Sequence, residues 1–313
     1  MDRRNFTKAL FGTAAGLAVS RTGFAQAGYQ TTEKHEAFKT LFAPTFGHFK
    51  ASAGNDHIDR LRFMYDMGFR AFEDNDMLKR PRDLQDKIAK ECERLGMKMG
   101  LFVAYSDFGI AMMPANRIHG EKHPNKEKVR EFLKQRMTES VELSKRMNNK
   151  FCTVVPGRFD ESLDDGYQFA NVVENLKFCS EICEKSGLVM VLEPLNPMNH
   201  PDLWLKKAAQ GYAVCKAVGS PSCKVLFDVY HQQITEGNLI HNIDRAWSEI
   251  AYIQVGDVPG RKEVGTGEIN YKKIFTHLRN KGYTGFVGLE HGQSDSSKAG
   301  DEKMIAAYRA TDS

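Results

Sequence analysis

A surplus of one charge is missing from this chain. In its 313 residues, 44 Lys and Arg face 40 Asp and Glu, a net charge of +4. So small an excess offers no basic face to nucleic acid or an anionic membrane. Most of it sits at the front, where Arg3, Arg4, Lys8 and Arg21 oppose only Asp2. Cysteine is sparse too: Cys92, Cys152, Cys179, Cys183, Cys215 and Cys223 form no CxxC pair and no zinc-finger spacing. They read as buried free thiols, because a chain this long can build a core without a disulfide framework. No GxGxxG follows the first apolar run, and Gly265-Thr266-Gly267 comes late and lacks a third glycine. That leaves a doubly wound dinucleotide-binding sheet without support. What is present, 41% hydrophobic and 27% charged residues, is globular composition.

The first 27 residues read as an address. Asp2-Arg3-Arg4-Asn5-Phe6-Thr7-Lys8 precedes an uncharged stretch, Ala9 to Ser20, and then Ala25-Gln26-Ala27. A charged start, a short apolar run and a small-x-small site make a secretory signal, and the twin arginines resemble a Tat signal. The apolar run is too short to span a bilayer, which takes roughly 20 residues. No Cys lies near residue 27 to carry a lipid. The expectation is export by the Tat route to the periplasm with no membrane anchor, leaving residues 28–313 as one domain.

From residue 40 onward short apolar runs alternate with amphipathic stretches. The runs are Leu41–Phe46, Phe69–Glu73, Lys98–Ala104, Phe151–Val155, Leu188–Glu193, Lys224–Asp228, Tyr252–Val255 and Phe286–Glu290. Each has the length and the Val, Leu, Ile and Phe content of a strand buried on both faces. Helical patterns lie between them, at 56–67, 82–95, 126–147, 167–185 and 203–218, and Gly68, Gly96, Gly187 and Gly282 stand where helices would end. Strand and helix alternating eight times predict parallel crossovers and a (β/α)8 TIM barrel, whose usual length is about 250 residues.

Active sites of such barrels lie at the C-terminal ends of the strands. Here the fifth run ends at Glu193, the sixth at Asp228 and the eighth at Glu290, and the seventh carries Gln254. Carboxylates closing apolar runs are costly unless something compensates them. Three carboxylates and an amide oxygen converging on one point suit one divalent ion, Mn²⁺ or Mg²⁺ with Co²⁺ as a substitute. Glu73 and His48, after the second and first runs, read as pocket-lining or packing residues. His119 and His123 read as solvated loop residues.

Leu226-Phe227-Asp228-Val229-Tyr230-His231-Gln232-Gln233, Gln254-Val255-Gly256-Asp257-Val258-Pro259-Gly260-Arg261 and Gly265-Thr266-Gly267-Glu268-Ile269-Asn270-Tyr271 resemble the hydroxypyruvate isomerase family. That family belongs to the xylose-isomerase-like barrels, with sugar 3-epimerases as cousins. Glu193-Pro194-Leu195-Asn196 and Gly288-Leu289-Glu290 fit as well. The close likeness covers about 187–295; before residue 150 only the layout is similar. The resemblance implies that Glu193, Asp228, Gln254 and Glu290 bind the metal. It implies that Glu193 and Glu290 are the acid/base pair and that His231 and Arg261 hold substrate oxygens. Asn199, where the epimerases carry a second glutamate, leans toward the isomerases.

The chemistry agrees. Moving a carbonyl between adjacent carbons needs a proton removed α to it and returned next door, work for two carboxylates beside a Lewis acid. The expected partner is a small sugar or hydroxy-keto acid, and no nucleic acid; the sequence leaves a homo-oligomer open. The alternatives are a ketose 3-epimerase on the same site, a nuclease of the endonuclease IV type, and a non-catalytic periplasmic sugar-binding protein. The nuclease would need several metals, many histidines and a basic surface. The binding protein would have no use for acids on both the fifth and eighth strands.

Overall fold

Every apolar run becomes a strand. In the computed structural model, which describes residue 29 and residues 34–312, these are β1 (Leu41–Pro44), β2 (Ala71–Phe72), β3 (Lys98–Met99), β4 (Leu101–Tyr105) and β5 (Phe151–Val154). They continue as β6 (Val189–Leu192), β7 (Cys223–Asp228), β8 (Ile250–Val255) and β9 (Phe286–Leu289). The leader expected at 1–27 lies outside the described residues. β3 and β4 form one barrel strand, broken at Gly100, whose N–H donates to Phe72 O at 2.7 Å. A side chain there would run into the Tyr252 hydroxyl.

All pairings between the described strands are parallel. One sheet runs β1-β9-β8-β7-β6-β5-β4, β2 pairs with β3, and a Thr45–Glu73 bridge joins the end of β1 to that of β2. The sheet thereby curls shut into a (β/α)8 barrel, with helices covering its outside. The helices follow the strands as His57–Asp66, Arg82–Leu95, Lys126–Met147, Asp165–Cys183, Ala208–Val218, Val229–Thr235 with Leu239–Ala246, Tyr271–Asn280 and Lys298–Thr311. Asp56 starts the first of these, its carboxylate accepting from Ile58 N at 2.8 Å and Asp59 N at 3.1 Å. Gly96 and Gly187 end theirs in the left-handed region, φ 68° and 73°. No described helix is long and apolar enough to cross a membrane.

One helix starts later than its pattern predicts, at Ala208 and not at residue 203. Residues 203–207 carry the right periodicity, but their backbone is used elsewhere. Leu203 bridges Arg158, Trp204 N donates to Gly157 O at 3.0 Å, and Leu205 O accepts from Leu195 N at 3.1 Å. The loops after β5 and β6 outbid the helix. The helix expected at 167–185 begins at Asp165 and ends in a 3₁₀ turn, Glu184–Ser186.

Inside the barrel, Leu101, Val191, Leu226 and Tyr252 form a buried apolar layer. The next layer up is polar. Asp228 and Gln254 oppose each other across β7 and β8, and Gln254 opposes Gly288 across β8 and β9. Side chains directly opposed on parallel neighbours share a face, so the sheet register itself gathers the strand-end groups at one mouth.

On the outside, Glu91 clips two helices together, accepting from Arg62 Nε at 2.7 Å and Arg94 Nη2 at 2.6 Å. The Arg94 hydrogen bond, with help from Arg62, holds its carboxyl at about 2. A lowered folded-state value contributes stability that is present above the unfolded carboxylate range and is lost as pH falls through the folded value. Glu91→Gln should therefore unfold at lower urea than wild type at pH 7. That gap should shrink as pH drops from about 4.5 toward about 2; a gap equal at pH 7 and pH 3 would contradict the assignment.

Candidate active site

Asp228 ends β7 and is completely buried. Its Oδ1 accepts from Tyr230 N at 2.8 Å, so the residue doubles as N-cap of helix Val229–Thr235. That helix carries His231 over the same mouth, also buried. Glu193 follows β6, and oxygens of Glu193 and Asp228 and a nitrogen of His231 lie within 4.8 Å of one another. His231 Nε2 stands 3.7 Å from Glu193 and 3.6 Å from Asp228, beyond hydrogen-bond length, and has no hydrogen-bond partner among the described residues.

The state of His231 follows from its other nitrogen. Nδ1 accepts the backbone N–H of Asn196 at 3.2 Å, with the Asn196 amide at 2.7 Å. A backbone N–H can only donate, so in neutral imidazole the proton is assigned to Nε2. Burial keeps the ring neutral, with its pKa down at about 3. His231 thus offers the cavity an N–H and not a lone pair for a metal.

Glu290 accepts from Asn75 Nδ2 at 2.7 Å and from Arg261 Nη2 at 2.7 Å. The same Nη2 donates to Asp228 Oδ2 at 2.8 Å. Arg261, expected to hold substrate oxygens, is here tied to two of the expected metal ligands, and its guanidinium lies 4.9 Å from the Tyr230 ring centroid. Burial alone would lower its pKa, but Glu290, Asp228 and Glu193 together hold it above the usual arginine range. Gln254 turns its amide nitrogen to Glu73 Oε1 at 3.1 Å, and its Oε1 is buried without a hydrogen-bond partner among the described residues.

Burial, with Glu290 and Asp228 nearby, pushes the Glu193 carboxyl well above the usual range, and burial raises Asp228 as well. Glu73 is raised in the same way, by burial first and the Glu290 charge second. With Glu193, Asp228 and Glu290 ionised, Arg261 leaves the cluster two negative charges in excess. Three carboxylates short of two positive charges, beside an orphaned amide oxygen, are a donor set that fits a hard divalent cation.

The site opens on two cavities. The inner one, about 270 Å³, is lined by Glu193, His231, His200 and Phe108. The outer one, about 600 Å³, is lined by Lys50, His57, Arg60 and Arg80. Arg261, Glu290 and Asn75 border both. Of the remaining polar candidates, His48 is buried with its pKa at about 4, mainly through desolvation. Its Nδ1 accepts from Thr45 N at 3.2 Å and its Nε2 donates to His291 O at 2.8 Å. Exposed His119 pairs with Asp107 at 2.7 Å, and His123 is exposed. Asn199 Oδ1 accepts from the Tyr230 hydroxyl at 2.9 Å. Sequence reasoning passed over Asn75 and His200. Asn75 sits two residues beyond Glu73 at a strand end, which was a readable signal; nothing near His200 announced it.

Arg261 holds its place because of Asp257. The Asp257 carboxylate accepts from the N–H groups of Val258, Gly265, Gly267 and Ile269 at 2.9–3.1 Å. These bonds fold residues 257–269 into a rigid loop in which Arg261 takes a left-handed conformation, φ 50°. Gly267 is obligatory, because a Cβ there would overlap Val258 O. In Asp257→Asn an NH₂ replaces one oxygen and strands two amides, at about 1–3 kcal/mol each. Denaturant titration should show a loss of roughly 2–6 kcal/mol; an unchanged midpoint would mean that the loop does not depend on Asp257.

Residues 61–310 match the family model described as xylose isomerase-like TIM barrel. The 2-oxo-tetronate isomerase of Cupriavidus necator is 32% identical over 161 residues, 51% of this chain and 62% of that protein. The hydroxypyruvate isomerase of Escherichia coli is 29% identical over 161 residues, again 51% and 62%. The chain therefore spans less than two thirds of the length of these two relatives. In solved structures, an AP endonuclease of family 2 from Brucella melitensis aligns with TM-score 0.69 at 24% identity, covering 83% of this chain and 96% of that one. A 3-keto-D-glucoside 4-epimerase from E. coli aligns with TM-score 0.69 at 18% identity, covering 87% and 100%. Those two likenesses concern the fold alone. With the barrel closed, the acids gathered at its mouth and four fifths of its length matched, the chain belongs to the xylose isomerase-like TIM barrel family.

Proposed function

We propose that the protein is a metal-dependent isomerase of small sugars or hydroxy-keto acids, exchanging aldose and ketose forms by proton transfer through an enediolate. The observation that carries this reading is the pairing of Glu193 and Glu290 on one inner cavity, from the fifth and eighth barrel strands. Glu193, Asp228, Gln254 and Glu290 would hold one Mn²⁺, Mg²⁺ or Co²⁺. When bound, the ion supplies Lewis-acid polarisation of the substrate carbonyl.

The residues do the rest. One glutamate removes the proton α to the carbonyl; burial raises the Glu193 carboxyl above the usual range, which makes it a stronger base. The other manages the hydroxyl proton on the adjacent carbon. Neutral His231 donates Nε2–H to a substrate oxygen without carrying a charge into the site. Arg261 keeps Asp228 and Glu290 in register and offsets their repulsion. Return of the proton to the neighbouring carbon gives isomerisation; return to the opposite face of the same carbon gives the 3-epimerase outcome. A nuclease reading gains nothing from the near-neutral chain, and a sugar-binding protein has no need of two glutamates on the reacting carbons. We also propose export by the Tat route, which would present the enzyme with free sugars or sugar acids outside the cytoplasm.

The test is turnover in D₂O of the Mn²⁺-loaded protein against ketoses, aldoses and hydroxypyruvate. Solvent deuterium should appear on the former carbonyl carbon for isomerisation, and on the inverted carbon for epimerisation. Glu193→Gln and Glu290→Gln keep size and one ligand oxygen but remove the base. They should fold and lose turnover by at least about a thousandfold, within the usual range for general acid–base catalysis together with the lost ligand charge. Full retention of a carbon-bound label in wild type would mean hydride shift and end the enediolate reading. Asp228→Ala should abolish stoichiometric metal binding.

For export, replacing Arg3 and Arg4 by Lys should hold the precursor in the cytoplasm. If the same mature N-terminus still appears in the periplasm, the Tat assignment fails.

A further inference from the structure

Glu73 is a charge-bearing side chain in a place where charge is expensive. It is completely buried, and no Lys, Arg or His among the described residues pairs with it. Its partners are neutral: the Tyr252 hydroxyl donates to Oε2 at 2.9 Å and Gln254 Nε2 donates to Oε1 at 3.1 Å. The barrel makes room for it, since strand β9 carries Gly288 at this level and any Cβ there would run into Glu73 Oε2. A leucine would fill the same volume at less desolvation cost, so the fold gains something specific from the carboxyl.

What it fixes is the direction of an amide. Gln254 lies directly opposite Asp228 on the neighbouring strand. Glutamine has two ends of nearly equal size, and only one of them can bind a cation. Glu73 takes the nitrogen end, and the oxygen end is left buried with no hydrogen-bond partner among the described residues. An orphaned buried carbonyl oxygen is costly unless a ligand meets it. We propose that Glu73 is a positioning residue, which turns the Gln254 amide so that its oxygen serves as a metal ligand, with Tyr252 holding Glu73 in turn. The inference rests on the metal reading above. It also accounts for how an amide works where a carboxylate, with an oxygen at either end, would need no such orientation: Gln254 adds no charge to an already acidic cluster, but must be aimed.

The test is Mn²⁺ affinity by calorimetry on the whole mature chain, with metal-free thermal unfolding alongside. Glu73→Leu should weaken Mn²⁺ by roughly 10–100-fold, the usual cost of losing an outer-shell partner. Glu73→Gln, which keeps an accepting oxygen, should stay close to wild type. In a Gln254→Glu background both ends of residue 254 are oxygens and aiming is needless, so adding Glu73→Leu should cause no further loss. If Glu73→Leu does not fold, Tyr252→Phe removes the hydroxyl with little change of shape; it should weaken Mn²⁺ in the wild-type background and not beside Gln254→Glu. Equal weakening in both backgrounds, or none in either, overturns the positioning role while leaving the metal site standing. A wild-type protein that binds no stoichiometric Mn²⁺ overturns the metal reading itself, and this inference with it.

Discussion

Three carboxylates around one guanidinium set the terms for the rest of this molecule. Glu193, Asp228 and Glu290 meet at the barrel mouth, and Arg261 is the cation paired with two of them. Such a cluster is costly on its own, because like charges held together in a poor dielectric repel one another. Each neighbouring feature reads as a way of tolerating it. Asp228 is steadied by the N–H groups of the helix it caps. Glu290 is steadied by the neutral amide of Asn75. The seventh strand contributes Gln254, an oxygen with no charge. The excess that survives these measures is the size a divalent ion would cancel.

Arg261 could not do this from a floppy loop. The segment between β8 and the following helix contains Asp257, Gly260, Gly265 and Gly267, and the geometry says why those types occur there. One carboxylate gathers four backbone amides, the chain passes too close to Val258 O for any side chain at 267, and Arg261 itself sits in the left-handed region. The strain of a non-glycine residue there, about 1–2 kcal/mol, is tolerable only in a loop so fully bonded. The segment that makes the family resemblance strong is therefore a mount for one guanidinium.

This division explains what was legible in the sequence. The strands were, because a strand buried on both faces must be a short apolar run, and the acids closing them, because a polar residue ending such a run stands out. Helix ends at Gly96 and Gly187 were, because the left-handed turn selects glycine. Residues 203–207 misled, since local periodicity cannot see a backbone recruited by two loops. The direction of the Gln254 amide and the tautomer of His231 were illegible for a related reason: each depends on a group distant in the chain, Glu73 for the first and Asn196 N for the second. Sequence spacing identified the residues that meet at the mouth but carried nothing about which atom of each faces inward.

The buried histidines show how that facing is enforced. His231 uses Nδ1 to pin the N–H of Asn196, three residues past Glu193. His48 uses Nε2 to pin the carbonyl of His291, the residue immediately after Glu290. Burial keeps both rings neutral, so neither adds a positive charge that would compete with Arg261 for the acids. Each glutamate proposed for proton transfer is thus followed, within three residues, by a backbone group clamped by an uncharged ring. A carboxylate exchanging a proton with carbon must be placed to within a fraction of an ångström, and strand-end residues pass directly into flexible connections. Clamping the chain just beyond each glutamate shortens the free segment to a few bonds. Because the clamps are neutral, the placement is gained without altering the electrostatics on which the acids and any bound ion depend.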